Sequence, residues 1–420
     1  MSSPGGVAST CPAKSPARRD LGRGQSPGEA SRTFFDVVLI SAFMISREPW
    51  NQTRHVAHLV LSLSMGGTEG LVDQMLRHPP KGFRASAICL DEIGVIGAAA
   101  RYTGIQVTLI PRGHGVNWRL PAAIARHARQ HGIDVFHCHH YGPWFYGVLA
   151  RLLFPRLRVI YTEHGRLYPD VPSTKRRVFN RFMRPLTDAI TAVSPAVALA
   201  LQRVEGFPLS KIKVVFNGVD GQRFSNLPAR SEIRRRLGLR GDFVYFILCS
   251  RLDPIKWIDG LLEALRRVVA RYPACGLVLV GDGPERQRIA GAIEQLAIGG
   301  HVVMPGYQTN IPEWLSASDT FVLSSLSEGT SVSLIESMAA GIPSVVTRVG
   351  GNEYVIEDGT TGSLVPSQDV ERLSAEMLRF ARDPILRDKF GRNARKRFEE
   401  RFELHRMLES YATIYRSLVG

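Results

Sequence analysis

The sequence lacks any hydrophobic run long enough to cross a membrane. A bilayer-spanning helix needs about 20 consecutive apolar residues, and the longest early candidate, residues 34–45, is shorter and contains Asp36. The 5 cysteines are scattered, with no CxxC pair and no zinc-finger spacing to histidine. These absences argue against a membrane-spanning protein and against a fold built on disulfides or zinc. We expect buried, reduced thiols.

A secretory signal peptide is also missing ahead of the first predicted strand, so we expect a cytoplasmic protein. Residues 1–54 are expected to form a poorly ordered extension. Its first part is rich in Ser, Gly, Pro and Arg and has few large apolar side chains to offset the entropy of ordering. An Arg- and Ser-rich start also resembles a transit peptide, and Met44 offers an alternative start; both readings stay open.

Positive charge is concentrated in the first half of the chain. Residues 54–220 hold 21 Lys and Arg against 10 Asp and Glu, whereas residues 221–420 hold 26 against 24, within a total of +15. Such a surplus suits nucleic acid, an anionic membrane surface or a phosphorylated substrate. No zinc-finger or RRM signature supports nucleic acid, so no nucleic-acid partner is expected.

Short apolar runs alternate with amphipathic stretches along most of the 420 residues, which favours parallel sheets with helical crossovers. A polar stretch at 221–241 separates two such series. They include predicted strands over 55–63, 134–138, 243–249 and 344–347 and a predicted helix over 195–204. The sequence therefore predicts an α/β protein of two Rossmann-like, doubly wound domains, 55–225 and 226–400, facing a central cleft. A last helix at 401–420 is expected to pack back toward the first domain. Ligands should bind at the carboxyl ends of the strands.

The segment SSLSEGTSVSLIESMAAGIP is the most informative. It predicts a strand, a loop with Glu328 and Gly329, and a helix that begins at Thr330 or Ser331. Backbone N–H groups at a helix start favour an anion. Glu336 follows Glu328 by slightly more than two helical turns, so both carboxylates can face one ligand.

Two cations, Arg251 and Lys256, flank a strand-to-helix turn in CSRLDPIKW, and such a pair suits a diphosphate. In LSMGGTEG, Gly66 and Gly67 let the backbone approach a ligand closely, although the pattern is not GxGxxG and does not indicate a dinucleotide.

The run DVFHCHH suggests a metal site at first sight. On a strand, however, His137 and His139 share one face while Cys138 and His140 take the other, and no carboxylate completes the set. No metal site is expected there.

In order and spacing these motifs resemble family 4 retaining glycosyltransferases, which have the GT-B fold. The resemblance covers about residues 55–400 and rests on these segments: LSMGGTEGLV, DVFHCHH, YTEHGR, AVSPAV, VVFNGVDGQRF, SRLDPIKWIDGLLEAL, VGDGPE, SEGTSVSLIESMAAGIPSVVTRVGGNEYVI and GTTG. One departure is Trp257, since the family often has glycine after the lysine.

The resemblance implies transfer of a hexose-type sugar from a nucleotide diphosphate donor, UDP more often than GDP, to a glycan or lipid-linked acceptor in polysaccharide assembly. It implies that Arg251 and Lys256 hold the diphosphate, that Glu336 binds the ribose, and that Glu328 faces the sugar near its reacting carbon. Retention of the anomeric configuration is implied as well.

Further roles follow from the same resemblance. Gly329 to Ser331 would offer backbone donors to the sugar or phosphate, Gly66 and Gly67 would contact the diphosphate or acceptor, and His164 in YTEHGR would touch the donor sugar. No DxD motif stands out, so neither a metal nor a cofactor besides the donor is expected.

Two alternatives remain: a non-catalytic nucleotide-sugar-binding scaffold and a nucleotide-sugar epimerase of the same fold. A basic stretch near residues 175–186, interleaved with apolar side chains, resembles an interfacial helix and predicts peripheral contact with an anionic membrane, at its inner face. A solvated helix face is the other reading of that stretch.

Overall fold

A computed structural model of the protein describes residues 53–165 and 171–419. The extension predicted over residues 1–54 lies outside this part apart from its last two residues, and Arg54 already begins the first strand. Two α/β domains follow, each built on one wholly parallel sheet, which confirms the predicted fold class.

The first domain has a sheet of seven strands in the order β3-β2-β1-β4-β5-β6-β7. Its elements in chain order are β1 (Arg54–Ser62), α1 (Gly67–Arg77), β2 (Phe83–Glu92), α2 (Gly94–Tyr102), β3 (Val107–Leu109), α3 (Leu120–Gln130), β4 (Val135–His139), α4 (Tyr141–Leu153), β5 (Arg158–Glu163), α5 (Thr174–Met183), β6 (Ala189–Ala192), α6 (Pro195–Ala200) and β7 (Ile212–Val214).

The second domain has six strands in the order β10-β9-β8-β11-β12-β13. Its elements are α7 (Arg230–Arg236), β8 (Val244–Cys249), α8 (Ile258–Val269), β9 (Cys275–Val280), α9 (Arg286–Gln295), β10 (Val302–Gly306), α10 (Ile311–Ala317), β11 (Thr320–Leu323), α11 (Val332–Ala339), β12 (Ser344–Thr347), α12 (Asn352–Val355), β13 (Gly362–Val365), α13 (Val370–Arg382) and α14 (Pro384–Arg401). The last helix, α15 (Leu404–Val419), follows.

Helices cover both faces of each sheet, so the central strands are buried along their whole length. All five residues of β4 and all six of β8 are buried. Parallel strands buried on both faces read as continuous apolar runs, which is why the sequence located them well. In β4 the run is interrupted by two buried histidines on one face, and these belong to the site described below.

The last helix returns to the first domain. Met407 and Tyr411 of α15 pack in one apolar cluster with Val56 of β1 and Met75 of α1. Gly218 allows the close approach, since a Cβ there would lie 2.9 Å from the Leu404 Cα. The helix α15 thus packs against the first domain.

Several short elements were missed by the sequence reasoning: α2, α7, α10, α12 and β13. They have four to nine residues, too few for a clear period in the pattern of apolar side chains. The helix predicted over 195–204 was too long as a regular helix. It ends at Ala200 and continues as a π-helical turn to Glu205, after which Gly206 adopts a left-handed conformation.

No helix within the two described stretches of chain is long and apolar enough to cross a bilayer. The four cysteines in those stretches are buried and unpaired, as expected, and Cys11 lies outside them.

Candidate functional site

Loops from both domains meet at the start of α11. The loop between β11 and α11 carries Glu328 and Gly329, and Gly329 packs so closely on the segment after β5 that a Cβ would collide with the carbonyl oxygen of His164. The loop between β1 and α1 approaches from the same domain, because a Cβ on Gly67 would lie 3.4 Å from a methyl carbon of Val332. Both loops are at the carboxyl ends of their strands, where ligands bind in such sheets.

Glu328 lies within a compact group of polar side chains. Its Oε1 accepts hydrogen bonds from Lys256 Nζ and from Ser325 Oγ, each at 2.6 Å. The side chains of Glu328 and Lys256 are only 10% and 18% exposed, so solvent screens this ion pair weakly. Two residues predicted for separate roles are therefore in direct contact.

Glu336 projects from α11 toward a residue that the sequence reasoning did not single out. Arg223, in the turn after the link between the domains, donates from Nη1 to Glu336 Oε1 at 3.2 Å. Burial raises the pKa of the Glu336 carboxyl, and the charge of Arg223 opposes that shift in part. VDGQRF looked like a connecting segment, so no local signal distinguished Arg223.

Arg251 and Trp257, the residue that departs from the family's glycine, lie in the turn between β8 and α8. Arg251 is largely exposed and pairs with Asp253 at 3.2 Å, which leaves its fork accessible to a ligand. Trp257 takes a left-handed conformation, φ 46° and ψ 49°, that glycine would adopt without strain. Its indole ring lies against Gly260, where any Cβ would collide with it. The bulky indole ring is thus accommodated because Gly260, three residues later, has no side chain.

Three buried hydrogen bonds cross between the domains at the site loop. Ser194 Oγ donates to the Gly329 carbonyl at 2.9 Å, Asn217 Nδ2 donates to the Thr330 carbonyl at 2.9 Å, and Thr330 Oγ1 donates to the Val193 carbonyl at 2.7 Å. We call this set the interdomain latch. It fixes the loop that carries Glu328 relative to the first domain.

Ser331 has a role besides the predicted one. Its hydroxyl caps α11 by accepting from the Leu334 N–H at 3.3 Å, a common use of serine at this position. Gly66 precedes α1 in an extended conformation, with the Glu69 carboxylate lying over it. Backbone contacts from Gly329 to Ser331, and from Gly66 and Gly67, to a ligand remain predictions.

His164 is buried at the edge of the same site, and its Nε2 lies 2.8 Å from Nδ1 of His139. Burial lowers its pKa to about 3, with a further contribution from His140, so the ring is neutral at ordinary pH. By contrast, the hydrogen bond and charge of Glu163 outweigh burial at His140 and raise its pKa.

The alternating faces predicted for DVFHCHH are present, but a neighbouring strand adds a third imidazole. His58 of β1 pairs in register with His137 of β4, and ring nitrogens of His58, His137 and His139 lie within 4.8 Å of one another. The sequence placed His58 in a strand and did not connect it with this run, because the pairing of β1 with β4 is a property of the sheet order. The expectation that this run binds no metal stays a prediction.

Two family models match the chain, one in each domain. The model described as Glycosyltransferase Family 4 matches residues 65–223, and the model described as Glycosyl transferases group 1 matches residues 229–397. Together they cover every strand of the two sheets except β1, which precedes residue 65.

Named relatives cover most of the fold. N-acetyl-alpha-D-glucosaminyl L-malate synthase of Bacillus anthracis is 29% identical over 301 residues, 70% of this chain and 78% of that protein. UDP-Gal:alpha-D-GlcNAc-diphosphoundecaprenol alpha-1,3-galactosyltransferase of Escherichia coli is 24% identical over 298 residues, 68% and 76% of the two chains. Among solved structures, Anabaena HepE in complex with UDP and glucose superimposes with a TM-score of 0.78 at 23% identity, covering 87% of this chain and 100% of that one.

The interdomain latch predicts a specific response to losing one donor. In Asn217→Ala the buried Thr330 carbonyl loses its partner, so we expect the free energy of unfolding to fall by about 1–3 kcal/mol and the radius of gyration to rise as the domains separate. Urea unfolding and small-angle scattering measure the two effects.

The matched control is Asn393→Ala, which removes a 3.1 Å bond from an amide to the Thr360 carbonyl within the second domain. It should leave the radius of gyration unchanged. An Asn217→Ala protein with wild-type stability and dimensions would show that the latch does not hold the domains.

Proposed function

Because the chain is a family 4 glycosyltransferase of the GT-B fold, we propose that it transfers a hexose-type sugar from a UDP-sugar to a glycan or lipid-linked acceptor. In this proposal the anomeric configuration is retained and no metal takes part. The observation that carries it is the ion pair of Lys256 and Glu328 at the start of α11, in the cleft shared by both domains.

The choice of UDP over GDP draws on two of the proteins compared. HepE was solved with UDP and glucose, and the Escherichia coli relative is named for UDP-Gal and for a diphosphoundecaprenol-linked sugar. The same name supports a lipid-linked acceptor. The two proteins are 23% and 24% identical to this chain, so the UDP donor and the lipid-linked acceptor are proposed for it by comparison.

The donor diphosphate is assigned to Arg251 and Lys256. A diphosphate has more negative charge than one carboxylate. Its arrival would therefore draw Lys256 away from Glu328, or leave the Lys256 ammonium bridging the diphosphate and the carboxylate. Arg251, exposed beside it, has the planar fork that suits phosphate oxygens. The ribose hydroxyls are assigned to Glu336, whose carboxylate is held in place by Arg223.

Glu328 is assigned to the reacting centre of the sugar. Departure of the diphosphate leaves positive charge on the ring, and a carboxylate held in a poorly solvated site stabilises such charge without reorganising. The bonds from Lys256 and Ser325 fix the orientation of Glu328. The acceptor would attack from the face that the nucleotide leaves, which accounts for retention.

Metal independence is supported by the positive charge that the chain itself supplies. Arg251, Lys256, Arg223 and the N-terminus of α11 all lie around the proposed diphosphate and ribose positions. Side-chain cations and a helix N-terminus can stabilise a departing diphosphate, which is the role a divalent ion has in other transferases.

Contact with an anionic membrane is proposed for the outer face of α5. Val178 and Phe182, one turn apart, are 57% and 72% exposed, and Lys175 and Arg181 are exposed beside them. A helix face with apolar side chains flanked by cations suits the interface of an anionic bilayer. A location at the inner face of the membrane would bring a lipid-linked acceptor to the cleft.

The donor is tested by thermal denaturation with UDP, GDP and their common sugar conjugates. At a concentration one hundred times Kd, binding stabilises the folded protein by about 2.7 kcal/mol, roughly 5–10 °C in Tm for domains of this size. We expect this shift with UDP and its loss in Arg251→Ala. Arg240→Ala, which changes an exposed cation of the same domain, should keep it.

A shift with GDP alone would contradict the proposed base. The absence of a shift with either nucleotide would contradict the donor site as a whole. Interconversion of the sugar configuration without any acceptor would instead identify an epimerase.

The role of Glu328 is tested by turnover. Glu328→Gln keeps the shape but removes the charge, so we expect kcat to fall by about 10²–10³, measured as UDP release from the UDP-sugar that the thermal screen selects. Glu263→Gln changes a half-buried carboxylate on α8 that pairs with Arg266 and Arg267; it is the control and should be fully active. Undiminished turnover in Glu328→Gln would show that this carboxylate does not act at the reacting centre.

Membrane contact is tested by co-sedimentation with vesicles of phosphatidylglycerol and phosphatidylcholine. We expect binding that weakens at high salt and falls about 10-fold or more in Phe182→Glu, since the buried apolar area of the phenylalanine is lost. Ile385→Glu alters a side chain on α14 that is 79% exposed and should bind like the wild type. Equal loss in both variants, or binding to neutral vesicles alone, would contradict a specific surface on α5.

A further inference from the structure

Three buried imidazoles form a hydrogen-bonded row from the interior of the first domain to the site. His58 Nδ1 lies 3.0 Å from His139 Nε2, and His139 Nδ1 lies 2.8 Å from His164 Nε2. The three residues are 1%, 1% and 7% exposed. Across the described part of the chain, no group hydrogen-bonds to the remaining ring nitrogen of His164, Nδ1, although it is buried.

The row has only two arrangements of protons while its rings are neutral. Each neutral imidazole has one N–H and one lone pair, on different nitrogens. If His58 donates to His139, then His139 donates to His164, and His164 has its proton on Nδ1. In the opposite arrangement every bond is reversed, and Nδ1 of His164 is an acceptor.

We propose that His139 is a positioning residue for His164: it fixes the ring orientation and the tautomer of His164, so that the buried Nδ1 meets the donor sugar as a defined single donor or acceptor. The inference rests on the proposed role of His164 and extends it to two residues, His139 and His58, that do not contact the ligand.

Electrostatics keep the row neutral. Burial lowers the pKa of His58 and of His164 to about 3, and burial together with the neighbouring rings lowers the pKa of His139 well below its ordinary value. Of the nearby groups, His140 disfavours a charge on His164 and Glu163 favours one, and these two are bonded to each other. Because each ring keeps one proton at ordinary pH, the row has only the two arrangements described above.

The row ends next to the reacting centre. The His164 carbonyl packs against Gly329, the neighbour of Glu328 in sequence, so the row reaches the loop that carries the carboxylate assigned to the reacting centre. At the inner end, His58 borders a cavity of about 10 Å³ together with Tyr411 and Tyr415, roughly the room that one water needs. A water there would give the inner nitrogen of His58 a hydrogen-bond partner.

A metal ion on His58, His137 and His139 is the competing use of the same nitrogens. Both ring nitrogens of His137 are engaged, Nδ1 with the Tyr415 hydroxyl at 2.7 Å and Nε2 with the Thr162 hydroxyl at 2.6 Å. Metal binding would have to break one of these bonds and also one of the two bonds of His139, to His58 or to His164. The existing hydrogen bonds therefore favour the row of neutral imidazoles over a metal site.

The first test reads tautomers directly in the full chain. Protein labelled with 15N in its histidine rings is examined by NMR from pH 6 to 8, and His164 is assigned by the signals lost in His164→Gln. We expect one neutral tautomer for His164 and for His139, with no titration in this range. Rapid averaging of tautomers at His164, or a charged ring, would overturn the proposal.

The second test uses two substitutions at one position. In His139→Asn the amide falls near the former Nδ1 and can still pair with His164, whereas in His139→Gln it falls near the former Nε2 and cannot. We expect His139→Gln to average the tautomers of His164 and His139→Asn to preserve a single one.

Binding of UDP and of the selected UDP-sugar, measured by calorimetry, separates positioning from a general loss of structure. His139→Gln should weaken the UDP-sugar about 10-fold while affinity for UDP alone stays within about 2-fold, and His139→Asn should behave like the wild type toward both. Equal weakening of UDP and UDP-sugar in His139→Gln would contradict the proposal, as would stoichiometric zinc in the purified protein.

The NMR test needs no donor. A protein that binds no nucleotide sugar but shows a single neutral tautomer at His164 would contradict the proposed function and support the row. A protein that binds the donor but averages the tautomers of His164 would support the proposed function and contradict the row.

Discussion

The site depends on one close contact between backbones, where the loop that begins α11 meets the segment that follows β5. Gly329 has no room for a side chain against the His164 carbonyl, and the latch bonds on either side hold the loop at that distance. Because Glu328 precedes this contact and α11 follows it, the position of the carboxylate and of the helix N-terminus are set together. A loop tied only to its own domain would leave both free to move relative to His164.

The charges around that contact balance one another in the absence of a donor. Lys256 is matched by Glu328, Arg223 by Glu336 and Arg251 by Asp253. Poorly solvated cations with no partner would be costly, so these pairs allow the cleft to form before any phosphate arrives. The partners differ in exposure, from the nearly buried Glu328 to the open Arg251. In the proposed function, the exposed arginine would therefore meet a diphosphate first and the buried pair would rearrange after it.

Sequence reasoning succeeded where a feature is local. The strands β8 and β12 were located to within a residue because a buried parallel strand is a short apolar run, and Glu328 and Glu336 were found because they lie on one loop and one helix. It failed where a feature depends on which strands are neighbours. Arg223 reaches Glu336 across 113 positions and Ser194 reaches Gly329 across 135, and no periodicity or motif within either segment signals its partner. Trp257 departs from the family's glycine, and the sequence alone did not show that Gly260, three residues later in the same motif, makes room for its ring.

The buried histidines show how the same fold joins distant parts of the chain to the site. His137 of β4 bonds to Tyr415 near the end of α15, 278 positions later, while its neighbour on the same face, His139, bonds to His164. The return of α15 to the first domain thus covers the face of β4 that carries these imidazoles, and its tyrosines satisfy polar atoms that an all-apolar helix would leave unpaired. The opposite face of β4 is apolar, with Phe136 and Cys138 in the core. Stability alone would favour apolar side chains on both faces. Polar side chains are retained instead from His137 and His139 to His164, where a fixed imidazole would have a chemical use in the proposed reaction.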